Sequence, residues 1–263
     1  MGTAILAGLM RRGVDASEVV ASTKTEATAS RLADEFGITA IATETNSAAN
    51  AEAVVDADIV LIAVKPGYVI EVLTQLASNL KPGSLVISVA AGITTAAMQA
   101  AVADNVAVVR AMPNTPAIVG RAVTGLAAGS RVTPEQLATA SELFESVGRV
   151  VVVGEDQIDQ LSTVSGSGPA YVFYFIEEFT KAAVELGFTP DQARMLVEET
   201  FLGASELLAA SGKTPADLRR QVTSPNGTTM QAIAVFEQAN LHELFGRATA
   251  AALARAREIA EGK

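Results

Sequence analysis

The side chains that could do chemistry in this sequence are hydroxyls, lysines and carboxylates, which lie beside glycines rather than beside histidines or cysteines. The 263 residues contain no cysteine and one histidine, His242, in a predicted helix. Disulfides and thiolate chemistry are therefore excluded, and we expect no metal site. Glycine lets a backbone approach a ligand closely, and a helix N-terminus offers unpaired N–H groups. The chemistry favoured by this composition is the binding of small anions by main-chain donors.

The segment Ser165 to Tyr171, with the sequence SGSGPAY, is rich in such residues. Serine, glycine and proline do not fill a core, so the segment predicts a loop whose backbone approaches something closely. An apolar-periodic helix follows, runs to Leu186 and stops at Gly187, which anchors the loop on a rigid element. An interdomain hinge is the alternative interpretation.

The chain opens with a helical pattern from Met1 to Arg12, with Gly2 in its first turn and no strand before it. In dinucleotide-binding α/β domains the first helix begins at a glycine-rich loop and holds a pyrophosphate at its N-terminus. We predict that Gly2 is the last glycine of such a loop. The alternative is that a helix at residue 1 is simply a helix.

A polar tripeptide, Ser22-Thr23-Lys24, ends the predicted strand Glu18 to Ser22. It falls near the position that selects the adenine ribose, about 20 residues past the glycines. A carboxylate there suits a 2′-hydroxyl, whereas hydroxyls and a lysine suit a 2′-phosphate, so NADPH is favoured and NADH is possible. For any one of these residues, a polar turn capped by Thr25 is an equally good interpretation.

The elements that must position these residues change in character near residue 154. Before it, continuously apolar runs alternate with helical spacing, which is typical of parallel strands covered on both faces. After it, the pattern is helical throughout. We predict a Rossmann-like doubly wound α/β domain over 1–154 and an all-helical domain over 155–263. The predicted strands include 59–64, 85–89, 106–109 and 150–153; the predicted helices include 69–80, 134–147, 157–164, 170–186, 190–211, 215–221, 228–239 and 241–261.

The charge and hydropathy of the chain limit the kinds of partner that it can bind. The formal net charge is -10, and no basic stripe with aromatics appears, so nucleic acid would be repelled. The apolar runs are too short for a membrane span, and no basic segment with an apolar signal core opens the chain, so we expect a cytoplasmic protein. Alanine-rich faces on the last helices suggest a homodimer or a higher homo-oligomer built on the helical domain.

Three further motifs, taken with Ser165 to Tyr171, resemble one family. Ala63-Val64-Lys65-Pro66 ends a strand, Val109 to Pro116 (VRAMPNTP) follows another, and Ser224 to Thr229 (SPNGTT) opens a helix of the second domain. In this order and spacing, over almost the whole chain, they resemble the pyrroline-5-carboxylate reductases. These are NAD(P)H-dependent enzymes of the last step of proline biosynthesis.

The resemblance implies hydride transfer to the C=N carbon of 1-pyrroline-5-carboxylate, giving L-proline. Thr229 would contact the ring nitrogen, and main-chain donors at the helix start would hold the carboxylate. Taken without the family, a Ser224 N-cap followed by Pro225 is the favoured interpretation. The implied substrate-binding residues are Glu155, Ser165, Gly166, Ser167, Gly168, Ser224, Pro225, Asn226, Gly227, Thr228 and Thr229. The implied cofactor-binding residues are Met1, Gly2, Ser22, Thr23, Lys24, Asn50, Ala63, Val64, Lys65, Pro66, Ala90, Gly92, Met112 and Asn114.

Some assignments stay open at this point. Glu155 resembles a substrate-proximal acid, but a solvated loop carboxylate is an equal alternative, and Lys65 could bind the cofactor or face solvent. Members of the family begin with a strand and a Gly-x-Gly-x-x-Gly-type turn, so we expect that roughly a dozen residues of that unit are absent here. A β-hydroxyacid dehydrogenase is disfavoured because Val172 occupies its catalytic lysine position. A catalytically silent dinucleotide-binding or scaffold protein is the remaining alternative.

Overall fold

The computed structural model describes residues 1–260, which form two compact units. The first unit comprises Met1–Ser167 together with the end of the last helix from Leu253, and the second comprises Gly168–Ala252. This division falls later than the predicted domain boundary between residues 154 and 155, which stays a prediction. The helix that follows residue 154 packs on the sheet of the first unit. Leu161 in that helix lies so close to Gly125 in the sheet that a Cβ added to the glycine would come 2.6 Å from the leucine side chain.

The first unit alternates strands and helices along the chain, as predicted. Its elements are α1 (Gly2–Arg11), β1 (Val20–Thr23), α2 (Glu26–Phe36), β2 (Thr39–Ala42), α3 (Ala49–Glu52), β3 (Ile59–Ile62), α4 (Val69–Leu76), β4 (Leu85–Ser88), α5 (Thr95–Ala100), β5 (Ala107–Met112), β6 (Ala122–Ala128), α6 (Pro134–Glu145), β7 (Gly148–Val152) and α7 (Glu155–Leu161). Short 3-10 turns lie at Ala16–Glu18, Pro66–Tyr68 and Thr115–Val119.

The strands form a parallel pair, β1-β2, and a five-stranded sheet in the order β3-β4-β5-β6-β7. Strands β3, β4 and β5 are mutually parallel, β6 is antiparallel to β5, and β7 is parallel to β6. The predicted Rossmann-like α/β class is confirmed, but β6 and β7 both run antiparallel to the other three strands of this sheet, which the sequence pattern did not indicate. Strand β6 has the sequence AVTGLAA, whose alanines and glycine carry little of the β-branched signal on which such predictions depend.

Helices cover both faces of the five-stranded sheet. On one face Val86 and Val108 pack with Leu73 of α4 and Met98 of α5. On the other face Ile87 and Val109 pack with Ile5 of α1 and Phe144 of α6. Every residue of β4 is buried, which explains why this strand is continuously apolar rather than alternating.

The second unit is helical throughout the part described. Its helices are α8 (Gly168–Glu185), α9 (Pro190–Ser211), α10 (Pro215–Gln221), α11 (Thr228–Gln238) and the part of α12 (Leu241–Ala260) that precedes Leu253. The predicted bounds of α9 and α10 are confirmed, because Thr189 and Thr214 cap helices that have proline at the first turn. The prediction for the last helix extends to residue 261, which lies outside the described residues.

The predicted loop over Ser165 to Tyr171 is wrong. Ser162–Gly166 forms one π-helical turn that continues α7, called the π-turn below, and Gly168 is already the first residue of α8. The Ser167 N–H donates to the Ser162 carbonyl at 2.8 Å, and the Ser165 hydroxyl donates to the Leu161 carbonyl at 3.2 Å. The predicted helix over 157–164 accordingly divides into α7 and the π-turn. Among residues 1–260, no helix has both the length and the apolar character needed to cross a bilayer.

Candidate active site

The start of α1 lies against the carboxyl end of β3. A Cβ added to Gly2 would come 3.1 Å from Ala63 Cβ, so the two backbones approach more closely than a larger residue at position 2 would allow. Met1 is the N-cap residue and supplies no side-chain hydrogen bond to the helix. The structure thus brings together two predicted cofactor residues, Gly2 and Ala63, beside a helix N-terminus that can bind an anion.

The end of β1 is joined to α3 by a contact between two predicted residues. The Ser22 hydroxyl donates to Asn50 Oδ1 in a short hydrogen bond, and the Thr23 hydroxyl donates to the Thr25 carbonyl at 3.0 Å. Thr25 caps α2, as the alternative interpretation of this turn expected. Lys24 is exposed, and its carbonyl accepts from the N–H of Glu44 at 3.1 Å. The Glu44 carboxylate accepts from the Glu26 N–H at 3.1 Å, at the start of α2, a contact that the sequence reasoning missed.

The parallel strands β3, β4 and β5 end at one edge of the sheet, which is where α/β folds bind ligands. After β3, Ala63, Val64 and Lys65 are exposed, and Lys65 precedes the 3-10 turn that opens at Pro66. After β4, Ala90 is buried and Gly92 has a φ of +76°, a left-handed conformation that favours glycine.

The segment after β5 holds the π-turn through Asn114. Asn114 is buried, at 8% exposure, and its side chain donates from Nδ2 to the Ser165 carbonyl at 2.9 Å and accepts from the Val123 N–H at 2.9 Å. Met112 Cε would lie 3.2 Å from a Cβ on Gly166. Four predicted residues therefore meet here, two from the cofactor set and two from the substrate set.

Glu155 is neither in a loop nor freely solvated, so that interpretation is wrong. It is the first residue of α7, and its side chain is 31% exposed. Its Oε1 accepts from Arg110 Nη1 at 2.8 Å, and its Oε2 accepts from the Thr95 N–H at 3.4 Å. Sequence reasoning missed Arg110, although an arginine inside an apolar strand is a signal, because such a charge must find a partner.

The start of α11 lies in the second unit and differs from the predicted capping alternative. Gly227, not Ser224, is the N-cap, and the helix begins at Thr228. Ser224 to Gly227 form a tight turn in which the Gly227 N–H donates to the Ser224 carbonyl at 3.0 Å and Asn226 has a φ of 60°. A Cβ on Gly227 would collide with the Ser224 hydroxyl, which would have to rotate away, and would lie 3.1 Å from the Ser224 carbonyl oxygen, so the turn is tightly packed around glycine.

The first turn of α11 is suited to an anion. It carries no acidic residue, and its N-cap provides no side-chain hydrogen bond. Its free N–H groups and the helix dipole are therefore available to a carboxylate. Thr229 in this turn is half-buried. Within residues 1–260, no three histidine, aspartate or glutamate side chains are grouped as metal ligands.

Comparison with known proteins identifies the family. A family model described as pyrroline-5-carboxylate reductase dimerisation matches residues 155–259, and one described as NADP oxidoreductase coenzyme F420-dependent matches residues 1–92. The pyrroline-5-carboxylate reductase of Pseudomonas aeruginosa is 39% identical over 262 residues, which are 99% of this chain and 94% of that protein. The Escherichia coli K12 enzyme is 38% identical, over 90% of this chain and 87% of its own length. A solved pyrroline-5-carboxylate reductase structure from Coxiella burnetii superposes with a TM-score of 0.92 at 37% identity, covering 98% of this chain and 94% of that one. The chain belongs to the pyrroline-5-carboxylate reductase family.

Proposed function

We propose that the two units divide the reduction of 1-pyrroline-5-carboxylate: the first holds the cofactor, and the start of α11 in the second holds the substrate carboxylate. As a family member, the chain is an NAD(P)-dependent oxidoreductase that converts 1-pyrroline-5-carboxylate to proline. The division of work among its residues is our proposal. The observation that carries it is the start of α11, with free N–H groups, a glycine N-cap and a hydroxyl in one turn.

The residues of the first unit fit a dinucleotide. Gly2 packs closely on Ala63 and has no side chain that would cover the α1 N-terminus, so a pyrophosphate can bind there. The Ser22–Asn50 pair offers polar groups to the adenine ribose. We assign the nicotinamide end to the edge of the sheet after β3, β4 and β5. When bound, NAD(P)H supplies the hydride. The full proposed set is Met1, Gly2, Ser22, Thr23, Lys24, Asn50, Ala63, Val64, Lys65, Pro66, Ala90, Gly92, Met112 and Asn114.

NADPH is the preferred cofactor in this proposal. Ser22, Thr23 and Lys24 place two hydroxyls and a positive charge where a 2′-phosphate would lie, and none of the three is a carboxylate. The backbone pairing of Glu44 with Lys24 brings an acidic residue to the same turn, and its negative charge opposes the preference. The ratio of kcat/KM for NADPH and NADH measures the balance, and we expect it to exceed one.

The start of α11 binds the substrate carboxylate. Because the Gly227 N–H already donates to Ser224, we assign the carboxylate to the N–H groups of Thr228 and Thr229. Gly227 contributes by having no side chain, and the turn Ser224-Pro225-Asn226 fixes the direction of the helix start. Anion binding here needs no arginine, because helix N-termini bind carboxylates through main-chain donors.

The Thr229 hydroxyl orients the C=N bond. An imine is basic enough to take a proton from water, so the bound species is an iminium whose ring N–H can donate to Thr229 Oγ1. As the C=N carbon gains a hydride, one electron pair of the double bond moves to nitrogen and the ring becomes that of proline. The protein's contribution is positioning, which lowers the barrier because only one orientation of the ring is productive.

The experiment that tests this assignment compares Thr229→Val with Thr229→Ser and with a control threonine, Thr223→Val. Thr223 donates to the Arg219 carbonyl and lies outside the proposed contacts. Loss of a hydrogen bond to a charged group costs about 1.5–3 kcal/mol, so kcat/KM should fall about 10- to 100-fold in Thr229→Val. Thr229→Ser should stay within about threefold of the wild type. Full activity in Thr229→Val would overturn the assignment.

The oligomer interface belongs to the second unit in this proposal. The family model that matches residues 155–259 is a dimerisation domain, so the protein is a homo-oligomer. Large apolar side chains on α8, α11 and α12 are exposed in the single chain, which is the expected state of a surface that a second copy covers. They include Phe173, Tyr174, Phe175, Phe179, Val235, Phe236, Leu244 and Phe245.

A further inference from the structure

Three side chains at the end of β5 face the same element. Residues two apart in an extended segment point to one side, and the backbone is still extended at Asn114, where φ is -117° and ψ is 171°. Arg110, Met112 and Asn114 all contact the α7 and π-turn segment. One face of one strand end therefore fixes this segment at successive points along its length.

Arg110 makes the strongest of these contacts. Its side chain is 3% exposed; Nη1 donates to Glu155 Oε1 at 2.8 Å and Nη2 donates to Asp159 Oδ1 at 2.6 Å. The two carboxylates are four residues apart, so they lie on one face of α7. Because the planar guanidinium bonds to two points on α7, it fixes both the position of this helix along its axis and its rotation about that axis.

The position of α7 is passed on to the π-turn, because the helix continues into it without a break. Asn114 then holds the Ser165 carbonyl, and Met112 lies against Gly166. Turns of π geometry inside helices are rare and often occur at functional sites. The ion pairs of Arg110 with Glu155 and Asp159, called the Arg110 clamp below, therefore determine where the Ser165–Gly166 backbone lies. That backbone contacts Met112 and Asn114, which we place at the nicotinamide.

Stability alone does not explain a charge at this depth. Replacing a buried ion pair by apolar groups is often neutral or stabilising. Within the part of the chain that the structure describes, the buried Arg110 Nε has no hydrogen-bond partner. Uncharged groups in place of all three charged side chains would serve stability at least as well, so we attribute to the ion cluster a role in fixing geometry.

We propose that Arg110 is a positioning residue for the reduction, and that Glu155 and Asp159 are its anchors. In this role Glu155 acts through Arg110 and α7, not by touching the substrate. The inference rests on the proposed function of Met112, Asn114 and the π-turn. It predicts that breaking the clamp lowers kcat, while KM for substrate and cofactor changes little, because the carboxylate and pyrophosphate contacts lie elsewhere.

The test separates positioning from folding. In Arg110→Met two carboxylates lose their partner, so both the thermal midpoint and kcat should fall. The triple variant Arg110→Met, Glu155→Gln, Asp159→Asn removes all three charges, so the midpoint should recover while kcat stays at least about tenfold below that of the wild type. Arg110→Lys keeps the charge but cannot span both carboxylates as a fork, so it should fold and still lose kcat.

The matched control is Arg131→Met. Arg131 pairs with Asp104 at 2.6 Å and with the carbonyls of Gln99 and Ala103, away from the edge that carries Met112 and Asn114. It should keep the wild-type kcat. If kcat recovers with the midpoint in the triple variant, or is undiminished in Arg110→Lys, the positioning role is overturned. If the wild type and Arg131→Met form no proline, the proposed function itself fails.

Discussion

The two units use phenylalanine in opposite ways. In the first, Phe144 is 0% exposed and packs in a cluster with residues of α1, β4, β5 and β6. In the second, Phe173 is 66% exposed, and the buried cluster consists of Ala183, Ala193 and Val197 with Ile176 and Phe201 against it. The first unit is stabilised by its own core. The second has apolar surface that its own helices do not cover.

The sequence of α8 explains the difference. Val172 to Ile176 places five apolar residues in succession, so they point around the whole helix instead of forming one stripe. One neighbouring helix covers only part of such a surface. A helix of this kind is stable where further protein covers the other sides, and in a homo-oligomer that protein is a second copy.

The largest effect is expected in the first unit. Phe144→Ala should lower the free energy of unfolding by about 3–5 kcal/mol, because it leaves a cavity in a packed core. The loss should be the same at low and high protein concentration, since Phe144 is buried within one chain. Urea denaturation at two concentrations measures both quantities. A loss that depended strongly on concentration would mean that the first unit is not stabilised by its own core.

A smaller effect, on association, is expected for Phe175→Glu. Phe175 is exposed, and its ring lies 5.9 Å from that of Phe245 in the same unit. A carboxylate on a surface that a second copy covers is desolvated, so we expect at least tenfold weaker association, about 1.4 kcal/mol. Sedimentation velocity measures the change.

The control for this prediction is Val55→Glu. Val55 is an exposed apolar residue of the first unit, after α3. The substitution adds the same charge and should leave the oligomeric state unchanged. If Val55→Glu dissociated the protein and Phe175→Glu did not, the interface would lie on the first unit, and the contrast between the units would need another explanation.

The parts of the fold that were predictable carry local signals. The starts of α9 and α10 were predicted correctly because a threonine cap and a proline at the first turn act within one helical turn. Strands β3 and β4 were recognised by continuous apolar runs; burial on both faces explains the run in β4, whereas in β3 only Val60 and Ile62 are buried. Strand β6 was missed because alanine and glycine carry no such signal.

The contacts of the candidate site are less predictable, because they join residues far apart in sequence. Arg110 was visible as a charge in an apolar strand, but its partners Glu155 and Asp159 lie on another element. The end of the π-turn from Ser165 and the start of α8 were mistaken for a loop because serine and glycine are typical of loops, whereas here their backbone bonds within helices. The Ser224 turn was ambiguous, since serine followed by proline is typical of a helix start as well as of a tight turn.

The smallest effects come from a matched pair of helix caps, one in each unit. Thr133 and Thr189 each precede a proline and form a reciprocal capping box with a glutamine, Gln136 and Gln192. Alanine at either position should cost about 1 kcal/mol, and serine should restore most of it because the hydroxyl is kept. Thermal unfolding at high protein concentration, where the oligomer persists, should show similar losses for both.

On dilution the two alanine variants should diverge. Thr189→Ala destabilises α9, whose Ala193 and Val197 make up most of the buried cluster of the second unit, so its oligomer should dissociate at a higher concentration than that of the wild type. Thr133→Ala destabilises a helix that packs on the core of the first unit, so its association constant should be unchanged. If Thr133→Ala weakened association as much as Thr189→Ala, folding of the two units would be coupled, and the exposed apolar surface of the second could not be considered apart from the core of the first.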